Sequence, residues 1–270
     1  MSTEREFLAN FHGHSTVSDG LNDYDEIIST AKELGIVVFG LSEHHTKDGI
    51  KSYYKQVYLS NGSSGDNIIP VTAVEARTSS GDAVFFKVGE LDHKFLAWLS
   101  CFEQNIGGHD LVETTKYVIS EYGAFVVPVH LGLRFAHSIS FNGLRRYRQA
   151  LTDEEARHVG VEVVNWFGNL IFWDNKKRET EALALTQELG FRTVGGSDAH
   201  TLWQFGGACM GFKATEASAD SFNEAFLNGN VEPRVLRSVN PLRWIRMALS
   251  IPATELRYRL FMRALRELSV

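Results

Sequence analysis

The chain has 270 residues, of which 44% are hydrophobic, 22% charged and 11% aromatic. That balance argues against a disordered chain, a fibrous repeat and a disulfide-stapled miniprotein. The net charge of -6 is uneven: residues 231–270 hold eight Arg against three acids, and residues 1–230 hold 19 basic and 30 acidic residues.

In chain order, short apolar runs alternate with longer amphipathic segments. Phe7 to Phe11 reads as a strand, followed by a helix over Asp23 to Leu34 with apolar residues at Ile27, Ile28, Ala31 and Leu34, closed by Gly35. Ile36 to Leu41, Ile68 to Val74 and Val84 to Val88 read as strands, the last of them as part of a hairpin. Leu111 to Tyr122 reads as a helix, and Ala124 to Val129 and Val161 to Val164 as strands. A helix over Asn175 to Leu189, a strand over Phe191 to Val194 and a helix over Asp220 to Leu227 complete the body. Strands alternating with helices predict a mostly parallel sheet with right-handed crossovers, closed as a barrel in preference to an open doubly wound sheet. The boundary predicted from charge lies between a body at 1–230 and a basic extension at 231–270. In that extension Thr254 can cap a helix whose stripe is Leu256, Leu260, Phe261, Ala264, Leu265 and Leu268. Its arginines are read as solvated, with dimerisation or contact with an anionic surface as the sharper alternatives.

The acidic body disfavours nucleic acid, for which the Arg-rich extension is the only support. Two cysteines, Cys101 and Cys209, form no disulfide framework and point to a reducing compartment. The chain opens without a signal-like apolar core, and no apolar run reaches the ~20 residues that span a bilayer. A soluble, cytoplasmic protein is therefore expected.

Chemistry-bearing residues collect at the ends of the expected strands. His12-Gly13-His14 and Ser18-Asp19-Gly20 follow the first strand, Ser42-Glu43-His44-His45 the second, and Glu75 ends the third. His130 follows AFVVPV, and Ser197-Asp198-Ala199-His200 follows the strand at 191–194. Residues two apart on extended backbone point the same way, so His12 and His14 can hold one ion together. Burying so many titratable groups in one barrel mouth is costly unless a metal compensates them, and imidazole with carboxylate suits zinc, manganese or iron. Arg134 and Arg77 are candidate cationic clamps for a phosphoryl group, and His45, His130 or His200 candidate proton donors. Trp166, Phe167, Phe172 and Trp173 form an aromatic cluster, read as core or lid ahead of a platform for a substrate ring.

These blocks, in this order and spacing over about residues 5 to 230, resemble the motifs of the PHP (polymerase and histidinol phosphatase) superfamily. Val161 to Asn165 together with Asn175 resemble the family segment that precedes its last motif. The resemblance implies a distorted seven-stranded (β/α) barrel, here with a helical, Arg-rich C-terminal extension, holding two or three divalent ions (Mn, Zn or Fe). Carried over by motif, His12, His14, Glu75 and Asp198 would surround a first ion. Asp19, His44 and His200 would surround a second, and Glu75 and His130 would face a third. Three departures stand out: Glu43 where the family has Asp, Leu131 where it has Pro, and no histidine in Ala83-Val84-Phe85-Phe86-Lys87, so two ions are expected ahead of three. His93 is read as a surface residue rather than a replacement for that histidine.

The implied activity is metal-dependent hydrolysis of a small phosphorylated molecule by a metal-bridging hydroxide. The alternatives are a hydrolase of non-phosphate substrates, an exonuclease or nucleotide-directed phosphodiesterase, and a metal-binding regulatory module that has lost its activity. Oligomerisation, if any, is expected through the C-terminal helix.

Overall fold

In the computed structural model the described residues are 3–44, 68–102, 108–133, 137–165 and 175–236. His45, Arg134, the aromatic cluster at 166–173 and the helix expected at 254–268 lie outside them, as do the side chains of Cys101 and Asn175.

The first strand, β1 (Arg5–Asn10), leads to helix α1 (Tyr24–Glu33) and then to β2 (Ile36–Phe39). Asp23 and Glu26 make a reciprocal capping box at the start of α1, which satisfies two otherwise orphaned amides and contributes about 1 kcal/mol. Tyr24, Ile27 and Ala31 form its buried face. Gly35, at φ +72°, ends it in the left-handed conformation that glycine adopts without strain. Strands β3 (Ile69–Arg77) and β4 (Asp82–Val88) form a hairpin, with Val71 opposite Val88 and Glu75 opposite Val84. Helices α2 (His93–Phe102) and α3 (Leu111–Tyr122), strand β5 (Phe125–Pro128), and helices α4 (Phe141–Gln149) and α5 (Asp153–Arg157) follow. The chain continues through β6 (Gly160–Asn165), α6 (Asn175–Glu188), β7 (Arg192–Gly196), β8 (Cys209–Ala214), α7 (Ala219–Asn228) and β9 (Val231–Arg234).

The result is a mixed α/β fold built on a curled sheet of order β5-β4-β3-β2-β1-β8-β9, with β6 and β7 paired separately. The pair β6–β7 lies between the two ends of the curl, β6 beside β5 and β7 beside β9. The expectation of a mostly parallel sheet is corrected. Only β1–β2, β2–β3 and β6–β7 pair in parallel, whereas β3–β4, β4–β5, β1–β8 and β8–β9 are antiparallel. The reason is local: the turn at Thr78–Gly81 is too short for a crossover helix, so β4 must run back along β3. The sheet also reaches Arg234, beyond the expected boundary at 230.

Two apolar clusters cover the faces of the sheet. Val74, Ala76 and Phe85 pack with Ile27, Phe95, Leu99 and Val118 from the helices, and Val71, Ala73, Val84 and Phe86 pack with Phe222 and Phe226 of α7. Glu75 continues the Val71–Ala73 row by strand alternation, and its cross-strand partner Val84 is apolar and fully buried. Cys209 is a free, buried thiol, and burial pushes its pKa up to about 12, so it is unreactive. Among the described residues no helix is long and apolar enough to cross a membrane.

Candidate metal centre

The parallel strands β1, β2 and β3 end on one side of the sheet, and the chain past those ends is stitched to the segment past β7. The His14 N–H donates to the Ala199 carbonyl at 2.8 Å, the Asp198 N–H to the His12 carbonyl at 3.0 Å, and the Ser42 N–H to the Gly13 carbonyl at 3.0 Å. A buried side-chain clip reinforces the join, with Asn10 Nδ2 donating to Ser197 Oγ at 2.9 Å and that hydroxyl donating to the His12 carbonyl at 2.7 Å. The His-x-His and Asp-x-His pairs, nearly two hundred positions apart in the chain, are thereby held face to face.

Eight side chains singled out from the sequence meet here, in three groups whose ligand atoms lie within 4.8 Å of one another. The groups are His14, Asp19, His44 and His200; His12, Glu75 and His130; and His12, His14 and Asp198. Glu75 is the hub: its carboxylate lies 3.4 Å from His12 Nε2, 3.2 Å from His14 Nε2, 3.5 Å from His44 Nδ1 and 3.5 Å from His130 Nε2. Asp19 Oδ2 is 3.4 Å from His200 Nε2 and 3.7 Å from His44 Nε2, and Asp198 Oδ2 is 3.2 Å from His130 Nε2. His14 and His12 each belong to two of the three groups.

Of the remaining candidates, Arg77 lies two residues beyond Glu75, with Nε 3.3 Å from Asp82 Oδ1, an acid that also takes His137 Nδ1 at 3.2 Å. His93 begins α2, is exposed, and belongs to none of the three groups.

The surroundings orient these side chains. Glu162, inside β6, accepts from His12 Nδ1 at 2.6 Å, from the His130 N–H at 2.9 Å and from Asn165 Nδ2 at 2.9 Å. That contact fixes the His12 proton on Nδ1 and turns the Nε2 lone pair inward. His200 Nδ1 contacts the Asp198 carbonyl at 3.0 Å, which likewise directs Nε2 at Asp19. Glu43 accepts from the Ser15 N–H and, through short contacts, from the Ser15 and Ser18 hydroxyls, pinning the loop that carries Asp19. His130 and Asp198 hold φ of 54° and 46°, a region non-glycine residues occupy only where surrounding contacts impose it. Glu162 and Asn165 carry no metal-ligand signature in the sequence, and their roles emerge only from the fold.

Several inward atoms are buried without a hydrogen-bond partner: His12 Nε2, both ring nitrogens of His14, both carboxylate oxygens of Glu75, and His130 Nδ1. Each orphaned buried group costs about 1–3 kcal/mol. The donor set, imidazole with carboxylate, is the one that binds divalent cations, so the residues present fit a metal centre.

Burial alone would lower the histidine pKa values, but the carboxylates outweigh it. His12 is raised well above its ordinary value by Glu162, Asp198 and Glu75. His14 is pushed up to about 10 by Asp198 and Glu75, and His130 to about 9, chiefly by Asp198. Burial would raise the acids, yet Glu75, Asp198 and Asp19 all fall below their ordinary values because the imidazoles stabilise their charge.

The sign of the pH dependence follows. In metal-free protein the raised histidines contribute stability that is complete below their ordinary pKa of 6.5 and is lost as pH climbs through about 9 and about 10. A divalent cation competes for the same nitrogens, so its affinity rises over that window. Thermal melts between pH 6.5 and 9 are expected to show chelator-treated protein losing stability with pH. The increment in Tm produced by manganese should grow over the same range, and an increment independent of pH would contradict ligation by these histidines.

A family model described as PHP-associated matches residues 178–231. No curated protein matches the chain. Among solved structures, PsfC from Pseudomonas syringae superposes with a TM-score of 0.63 over 94% of this chain and 99% of its own, at 17% identity. A two-domain protein from Bacteroides vulgatus, described as containing a predicted PHP-like metal-dependent phosphoesterase, superposes with a TM-score of 0.56 over 86% of this chain and 66% of its own, at 16% identity. The lesion-specific endonuclease of Pyrococcus furiosus does so with a TM-score of 0.56 over 88% of this chain and 60% of its own, at 12% identity. At these identities the likeness is one of fold.

Proposed function

From the membership of the PHP superfamily that the segment 178–231 and the surrounding fold support, we propose that this protein is a metal-dependent phosphoesterase acting on a small phosphorylated molecule. The observation that carries the reading is the convergence of five histidines and three carboxylates in one cluster, buried except for the half-buried His44, in which His12, His14, Glu75 and His130 hold buried atoms without hydrogen-bond partners.

In this reading the eight residues would hold two divalent ions, manganese, zinc or iron. The wall beside Glu75 favours two ions over three, because Val84 opposite it is apolar. When bound, such ions supply Lewis acidity to phosphoryl oxygens and activate water for attack. The chain's own residues do the rest. Glu162 and the Asp198 carbonyl fix the His12 and His200 rings. The clip through Asn10 and Ser197 holds the two motif segments in register, and the buried apolar walls limit water to the site. His45, which is not among the eight, would return a proton to the leaving oxygen, and Arg134 or Arg77 would steady the phosphate. The reading extends to a barrel body that includes β9 and a basic C-terminal extension with solvated arginines, in a cytoplasmic protein.

A second reading, phosphodiester cleavage in nucleic acid, draws on the fold shared with the Pyrococcus furiosus endonuclease, while the acidic body opposes it. Both are tested with purified protein in manganese or zinc against a panel of phosphomonoesters and short oligonucleotides. Turnover of a monoester that His14→Ala abolishes is the expected result. Turnover of oligonucleotides alone would favour the second reading, and no turnover of any substrate would defeat both.

A further inference from the structure

The turn that carries His130 is anchored from several directions. His130 stands in the left-handed region at φ 54°. Its N–H donates to Glu162 Oε2 at 2.9 Å, and its carbonyl accepts from the Leu133 N–H at 2.8 Å. The Gly132 N–H donates to the Ile139 carbonyl at 3.2 Å. The Leu131 carbonyl accepts from Arg178 Nη1 at 2.6 Å, across a separation of 47 residues. Arg178 is half-buried; burial lowers its pKa, while the charges of the adjacent Glu179 and, less, of Glu162, the acid that also orients His12, favour its charged form.

The position of this arginine needs explanation. It sits in the first turn of α6, behind Lys176 and Lys177, and that turn holds no acid. A helix N-terminus disfavours cations, so local helix stability does not account for an arginine there. Its contact with Leu131 does, because a guanidinium reaching across to a carbonyl makes a short, charge-assisted hydrogen bond.

We propose that Arg178 is a positioning residue for His130: by holding the Leu131 carbonyl it fixes the turn that aims His130 Nε2 at Glu75 and Asp198. The inference rests on the metal-centre reading above. Arg178 belongs to none of the three ligand groups and acts through the backbone of the residue that follows His130. Together with Glu162 it clamps one turn from two sides, through the N–H of His130 and the carbonyl of Leu131.

The test is a double-mutant cycle read by metal affinity, with manganese and then zinc alone as probes, on the full chain. Arg178→Met is expected to weaken binding about 10-fold or more, the scale for removing an outer-shell partner. Arg178→Lys, which keeps one charged donor, should weaken it less than about 3-fold. In a His130→Ala background, Arg178→Met should add less than about 2-fold, because the ligand it positions is already gone. Metal-free thermal melts separate this from general damage, and Arg178→Lys keeps the question answerable if Arg178→Met does not fold. Unchanged affinity in both Arg178 variants overturns the proposal, and so does an Arg178→Met effect of equal size with and without His130. Wild-type protein that binds neither ion overturns the metal-centre reading and this inference with it, whereas wild-type binding without coupling overturns this inference alone.

Discussion

Glu75→Gln is expected to abolish hydrolysis and lower the metal content of the purified protein by at least one ion per chain. Glu75 lies within 3.5 Å of four imidazoles, those of His12, His14, His44 and His130, whereas Asp198 reaches four only out to 3.8 Å. Gln has nearly the same shape, so packing against Val84 and Ala73 survives while the charge is lost. Both Glu75 oxygens are buried and have no hydrogen-bond partner, so no neighbouring donor compensates for the loss. A bound metal contributes several kcal/mol to the stabilisation of charge in the transition state, which corresponds to about three orders of magnitude in rate. The same substitution removes one of the anions that raise His12, His14 and His130, so in metal-free protein their protonated forms lose support and the melt at pH 7 shifts downward. Metal analysis and single-turnover assays with saturating manganese check the outcome. A Glu75→Gln variant with full metal content and turnover within about tenfold of wild type would remove Glu75 from the centre.

Much of this arrangement is legible in the sequence, and the remainder is hidden for physical reasons. Runs such as IVVF at 36–39 and FVVP at 125–128 are buried strands that announce themselves by composition. The motif residues that follow them sit where short stretches of chain must turn back, so their spacing survives as a local signal. Strand β9, with sequence VEPR, has no such signal, since its Pro and Glu belie a strand and only pairing with β8 makes it one. The α2 segment HKFLAWLSCF and the α4 segment FNGLRRYRQ are likewise unmarked, the first because it is too uniformly apolar to show a face, the second because it is short and glycine and five polar residues leave only a few apolar positions. Direction is the other hidden quantity. The strand at 82–88 is visible, yet whether it runs with or against its neighbour is set by the length of the turn before it.

Glu162 shows the same limit at the site. In GVEVVN it reads as a lone acid in an apolar strand, because its partners His12 and His130 lie 150 and 32 positions away. A ligand can be inferred from neighbours in sequence, whereas a residue that orients a ligand through a long-range contact can be found only once the chain has folded. Glu43 is an intermediate case: its adjacency to His44 flags it, but its clamp on Ser15 and Ser18 requires the loop and the strand to meet.

Gly196→Ala should therefore damage the centre as severely as loss of a ligand, although it removes no polar atom. Gly196 closes β7 immediately before Ser197 and Asp198. A Cβ built there runs into Glu162 Oε1 and comes within 3.0 Å of His12 Nδ1. Those two atoms form the 2.6 Å contact that sets the His12 ring. Neither can yield cheaply, since Glu162 is held at once by the His130 N–H and Asn165, and His12 by the stitched β1 and β7 segments. The methyl must either displace Glu162, leaving a buried charge and a buried N–H without partners, or push β7 away from β6. Overpacking of a filled site costs about 1–3 kcal/mol, and the orphaned groups add a comparable amount. The expected result is a fall in Tm together with a weakening of metal affinity of about 10-fold to 100-fold, the range for lost outer-shell support. Gly190→Ala is the control, because a Cβ there meets nothing within 4 Å and its only cost is the positive φ of 73°. It should lower stability modestly through backbone strain and leave metal affinity unchanged. If the two variants lose metal affinity equally, crowding of the Glu162–His12 contact is not what Gly196 prevents.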